Sequence, residues 1–330
     1  IQTLVQTYAM SGELDSLPDI FLMDDQVFTK YLQNYPDVFA DLTDSGINFS
    51  DFAESKVAVI RNAVVLSVPY DSNTVIACYR TDYLEKAGYT IDDLTDITWD
   101  RFIEIGKDVL DKTGMPMLTN VQGEPDLLNM ILQSAGISVF NEDGSIAIAD
   151  NEGLKEAMNV YMELINAGIL QEQTDWSGYQ GSINNGSVVG TINGSWICAT
   201  IKSTDQAEQE GNWAVTNMPK LNDYPGATNY SAQGGSTWAV SSSSKNYDLD
   251  FFKTTWAGST EFYDSILTDL GAIATYLPAA DSDAYNQVSD YFGGEAIYSK
   301  IVSYGSKIPT INKGIYWKEE KEALGTALTN

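Results

Sequence analysis

Histidine is absent from this chain of 330 residues. That excludes Ser-His-Asp and Cys-His catalysis, every His-ligated metal centre and the ordinary imidazole acid/base at neutral pH. Cysteine is nearly absent: the two residues, Cys78 and Cys198, lie far apart in apolar surroundings. Neither belongs to a CxxC pair, so a metal knuckle or redox motif is excluded, and both read as small buried hydrophobes; a disulfide between them is left open, since their spacing does not argue for one. Basic residues are scarce, 18 against 46 acidic ones, for a net charge of −28. Such a surface repels phosphate backbones and anionic lipid, which argues against nucleic-acid binding and electrostatic membrane attachment. No apolar run approaches the roughly 18 residues of a membrane span. The N-terminus lacks the basic and apolar regions of a signal peptide, as a processed or truncated sequence would.

The remaining pattern alternates short apolar runs with amphipathic stretches. Residues 17–23 form an apolar run ending at Asp24 and Asp25, read as a strand buried on both faces. Further strands are expected over 64–68, 74–79, 188–192, 212–216 and 237–241. Between them, Thr98 can cap a helix carrying Phe102, Ile105 and Val109 on one face. Asp150 or Asn151 can open another, with Leu154, Met158, Tyr161 and Ile165 on its stripe and Gly168 at its end. A third is expected through Leu249, Phe252 and Trp256. Strands alternating with helices indicate an α/β class with largely parallel sheets. The only low-complexity patch, at 241–246, is too short for an interdomain linker, so two lobes would be joined by more than one chain crossing.

Aromatic residues make up 11% of the chain, and several stand in polar, glycine-bearing segments. Trp176, Trp196, Tyr70 and Tyr230 are the clearest, whereas Trp99, Trp213 and Trp256 read as core. A sugar ring offers a C–H patch that a flat aromatic covers and rim hydroxyls that Asp, Asn and backbone amides receive, so these loops suit a carbohydrate site.

Read in order, the segments resemble the family 1 extracellular solute-binding proteins of ABC transporters. Residues 17–25 resemble the family's "PD" strand and acidic loop, and 68–88 its crossing segment with a "YNKD"-type sequence. Residues 97–102 match the "TWDEL" helix start, and 184–196 the "NGKAAM…NGPW" block. Later blocks follow in the same order at 218–220, 233–246 and 270–278. The resemblance implies a two-lobed, type II periplasmic-binding-protein-like α/β fold with a ligand cleft between the lobes. The N-terminal lobe would comprise 1–72 plus 237–276, and the C-terminal lobe 73–236 plus 277–330. It implies no enzyme activity, cofactor or metal. An oligosaccharide is the implied ligand and ABC permease subunits the partners of a monomer, periplasmic or lipid-anchored at the cell surface.

Carried over by position, Asp24 or Asp25 offers a carboxylate to the sugar, and the pairing leaves the choice open. Asn73 stands where maltose binders have a glutamate. Tyr70 and Asp71 match a "P-W/Y-D" variant, and Trp196 the stacking tryptophan of "NGPW". Gly234, Gly235 and Ser236 match a glycine turn that lets backbone approach ligand, and Tyr276 an aromatic returning to the site. Trp176 and Tyr230 complete the expected set. The segment at 69–72 and the tail 292–316 look closer to binders of xylo- or arabino-oligosaccharides than to maltose binders. The family's first strand and helix are not found ahead of residue 17, and truncation is the preferred reading. A glycoside hydrolase built on two of Asp24, Asp25, Asp71 and Asp175, or a non-transport sensor or adhesin, are the alternatives.

Overall fold

The computed structural model describes residues 1–53, 56, 61–62, 64–204, 206–222, 224–245 and 252–329. Its strands are β1 (Ile20–Asp24), β2 (Arg61–Asn62), β3 (Val64–Val65), β4 (Val68–Pro69), β5 (Val75–Arg80), β6 (Leu118–Val121), β7 (Leu170–Gln173), β8 (Gly190–Gly194), β9 (Trp213–Thr216) and β10 (Ser236–Val240). The chain forms two compact units. Unit 1 is Ile1–Asn73, Gly234–Asn286 and Gly314–Lys318, and unit 2 is Thr74–Gln233, Gln287–Lys313 and Glu319–Asn330. The sequence reading set its breaks at 72, 236 and 276; the units change at 73, 233 and 286, with a further short return at 314–318.

In unit 1, β10 lies between β1 and β4 and runs antiparallel to both, with Met23 opposite Thr237 and Thr237 opposite Pro69. Phe21 and Met23 point into a core of Val5, Leu17, Phe28, Leu32, Val38 and Phe39, while Ile20, Leu22 and Asp24 are only half-buried. β1 is therefore a one-sided strand, not one buried on both faces. The sequence run was apolar on both faces because Ile20 and Leu22 are partly covered as well.

In unit 2, β5 is the centre of the sheet β8-β5-β9 and is buried along its whole length. Its partners are again antiparallel; among the described strands only β6 and β7 pair in parallel. The expectation of largely parallel sheets is thus corrected. Alternation of strand and helix cannot distinguish a βαβ crossover from a strand that returns after an excursion into another unit, as β10 does.

The helix expectations were closer. Thr98 accepts the Arg101 N–H at 3.4 Å and opens Trp99–Thr113, which buries Trp99, Phe102, Ile105 and Val109 and stops at Gly114 with φ +73°. Asn151, not Asp150, caps Glu152–Asn166, accepting the Leu154 N–H at 3.0 Å. Leu154, Ala157, Val160, Tyr161 and Leu164 form its buried stripe, with Met158 and Ile165 at the edge. Of the third expected helix, Leu249 lies outside the described residues, and Phe252–Ala257 forms a π-helical turn. Trp213 is buried, as are both cysteines, which are free; burial pushes the Cys78 thiol well up, with Cys198 beside it. Among the described residues, no helix is long and apolar enough to cross a membrane.

Candidate functional site

Unit 2 contains a cavity of about 510 Å³ walled by β6, the turn after it, the start of helix Asp126–Ser134, the start of helix Trp176–Asn184 and Ile192 and Asn193 of β8. Asp175 initiates the helix at 176 by accepting the Gly178 N–H at 2.8 Å. This places Trp176 and Tyr179 one turn apart, and their rings stack at 4.7 Å with 16° between planes. Tyr179 is fixed from below: its hydroxyl lies 2.5 Å from Thr191 Oγ1 and accepts from Asn193 Nδ2 at 3.0 Å. Burial pushes its pKa up to about 12, against the pull of those two partners. Trp176 remains 42% exposed, so its ring is open to a ligand on the side away from Tyr179 only as far as that exposure allows.

Trp196 approaches Trp176 at 5.7 Å and 52°. Gly194 makes that possible: a Cβ there would meet the Trp196 indole and the Gln233 carbonyl. The same cavity is lined by Asn120 of β6, Gln122 and Glu124 of the turn after it, and Asp126 at the start of the next helix. Asn120 Nδ2 donates to the Glu124 carbonyl at 3.0 Å and holds the turn. Aromatics that share a cavity with carboxylates and amides can cover a C–H patch while those polar groups accept hydroxyl protons.

The expected residues of unit 1 form a second group. Asp24 accepts the Gln26 N–H at 2.8 Å and caps helix Asp25–Asn34. Asp25 is paired with Lys56, both nearly buried. Asp71 Oδ1 accepts the Ser236 N–H at 2.7 Å; burial pushes its carboxyl up, while Lys56 and that N–H pull it back. Gly235, at φ +91°, has no room for a side chain, since a Cβ would meet Lys56 Nζ at 2.6 Å, Asp25 Oδ2 at 2.7 Å and Asn73 Cβ at 2.9 Å. The glycine turn thus lets backbone approach an ion pair and Asn73. Gly234 shares the positive φ, at +74°.

The expected aromatics divide. Trp176 lines the unit 2 cavity, and Trp196 touches Trp176 from outside that lining. Tyr70 is buried against Trp238 at 5.1 Å, in a unit 1 cluster where Trp256 stacks on Phe262. Tyr276 stacks on Tyr263 at 5.2 Å and leans on Phe52. Tyr230 lies apart in unit 2, against Tyr304, with Lys307 donating to its hydroxyl at 3.1 Å. Tyr179, Asn193, Glu124 and Asp126 were not singled out from sequence. Glu124-Pro125-Asp126 at a helix start was the available signal, and its role needed β6, a short polar strand with no alternation to betray it.

The model of the bacterial extracellular solute-binding protein family matches residues 1–292. The chain belongs to that family. The lactose-binding protein of Rhizobium radiobacter is 39% identical over 332 residues, covering 100% of this chain and 77% of the relative. The arabinooligosaccharide-binding protein of Halalkalibacterium halodurans is 20% identical, covering 95% and 71%. The structure of the sugar-binding protein MalE from Xanthomonas citri superposes with a TM-score of 0.80 at 16% identity, covering 99% of this chain and 82% of that one. The solute-binding protein described here therefore has the α/β, type II periplasmic-binding fold expected from its sequence, with strands and helices divided between two compact units.

Proposed function

We propose that this solute-binding protein is the sugar-capturing component of an ABC transporter and hands an unmodified oligosaccharide to a membrane permease outside the cytoplasm. The observation that carries this is the exposed Trp176 stacked on Tyr179, beside Trp196 and in one cavity with amides and carboxylates. The family supports it, since a solute-binding protein needs a ligand surface and no reactive group. For the ligand we propose a β-galactosyl disaccharide of the lactose type. The relative named for lactose is 39% identical over the whole chain, against 20% for the one named for arabino-oligosaccharides. A galactosyl ring also gathers its C–H bonds on one face below an axial hydroxyl, which suits a stacked indole. A cavity of about 510 Å³ is within the range that takes a ligand of that size. Asp24, Asp25, Asp71, Asn73 and the 234–236 turn are proposed to bear on ligand from unit 1, and the protein is proposed to act as a monomer.

The test is calorimetric titration with lactose, maltose, xylobiose and arabinobiose, each mixture assayed afterwards for cleavage. Saturable binding of lactose, recovered intact, is expected. Trp176→Ala and Trp196→Ala are each expected to weaken it by about 1–3 kcal/mol, roughly 5- to 150-fold in Kd, with unchanged unfolding midpoints. Binding confined to pentose oligosaccharides would return the substrate to the xylo/arabino series. Shortened sugar would make the protein a hydrolase.

A further inference from the structure

The unit 2 cavity gathers several carboxylates at its wall. Glu124, Asp126 and Asp175 line it, and no lining residue is basic. One cation reaches them from outside the lining. Lys321, on helix Trp317–Thr329, places Nζ 2.6 Å from Asp126 Oδ1 and 3.6 Å from Glu124 Oε2. The approach is built into the packing. Gly325, one turn on, presses against the Gly123 carbonyl and Pro125, where a Cβ would collide. That contact seats the helix on the turn bearing both carboxylates. Burial pulls the Lys321 ammonium down, but Asp126 ahead of Glu124 more than offsets it, and its pKa lies above the ordinary lysine value.

We infer that Lys321 is a positioning residue that holds Glu124 and Asp126 as acceptors for sugar hydroxyls, and that the uncompensated negative charge restricts the pocket to uncharged sugars, against those bearing uronic or sialic acid. This rests on the sugar-binding reading above. Three carboxylates against one ammonium leave 1 − 3 = −2 at the pocket wall. A hydroxyl donates to such a wall; a ligand carboxylate finds no donor in the three carboxylates, whose one ammonium is already engaged by two of them, and is repelled, more strongly where water is displaced. Without Lys321, two neighbouring carboxylates on one turn would repel each other and lose their common orientation.

The experiment titrates the intact protein with lactose, the neutral trisaccharide 3′-galactosyllactose and the anionic 3′-sialyllactose, at low and high salt. Sialyllactose is expected to bind at least about tenfold more weakly than the neutral trisaccharide, with the gap closing as salt screens the wall. E124Q should narrow the gap. K321M should weaken lactose binding by about tenfold, and K321R should restore it, which lost packing alone would not predict. Equal binding of the two trisaccharides, or a salt-independent gap, would overturn the charge filter, and this arm uses only the wild type. Wild-type affinity for lactose in K321M would overturn the positioning role. A wild type that binds no neutral sugar would instead overturn the sugar-binding reading, and this inference with it.

Discussion

Glu320 is 6% exposed, and among the described residues neither of its carboxylate oxygens has a hydrogen-bond partner. Burial pushes its pKa up to about 7, with Lys321 and Lys313 pulling it back. A carboxyl raised in the folded state binds its proton more tightly there than when unfolded. Its contribution is fully favourable below the ordinary glutamate value, near 4.5, and is lost as pH rises towards 7. The stability lost across that interval is of order 3 kcal/mol. Glu320→Gln is therefore expected to raise the urea midpoint at pH 8 and to flatten its decline between pH 5 and 8. An unchanged pH profile in the variant would show that another group titrates. Trp176 shows the opposite balance: an apolar ring left 42% exposed carries a hydration cost that the proposed ligand would relieve.

Among the elements, helix Glu152–Asn166 shows how a cap settles an ambiguous start. Asp150 and Asn151 both suit an N-cap by residue type. The Asn151 side-chain Oδ1 accepts the Leu154 N–H, and its Nδ2 donates to the Ser138 and Ala147 carbonyls at 3.1 and 2.9 Å. Asp150 is displaced into the left-handed region at φ +59°. Asn151→Ala should cost about 1–2 kcal/mol, while Asp150→Gly should be neutral or slightly stabilising. Denaturant midpoints of the two variants distinguish the roles, and equal losses would refute the assignment. The cap at Thr98 was legible, and the second cap to within one residue, because capping is local, set by residues three positions apart. The strands β6 and β7 were not, since Leu118–Val121 and Leu170–Gln173 carry too few apolar residues for a period and are defined by pairing with each other.

At the scale of the whole molecule, 46 acidic residues against 18 basic ones make self-repulsion a standing term in the energy. The ion pairs do little to relieve it, since several, such as Arg101–Glu104 and Lys155–Glu152, are exposed and close in sequence. Raising salt from about 10 mM to 1 M shortens the Debye length from roughly 30 Å to 3 Å. The thermal midpoint is expected to rise over that range in scanning calorimetry. A flat or falling midpoint would mean that local pairs outweigh the net charge.

By itself the sequence determined the class of chemistry, the α/β alternation, the core faces of the long helices and, through ordered blocks such as 184–196, the family. These follow from composition, from short-range periodicity and from residues adjacent along the chain. The tertiary structure decided strand direction, the one-sided burial of β1 and the membership of the site. Trp176, Trp196, Glu124 and Lys321 are separated by up to 197 residues (321 − 124) and come together in unit 2 only through packing. The same packing placed Tyr70 and Tyr276 in an aromatic cluster and Asp25 on Lys56. Residue type records what a side chain can bind; what it does bind depends on neighbours that no local pattern names.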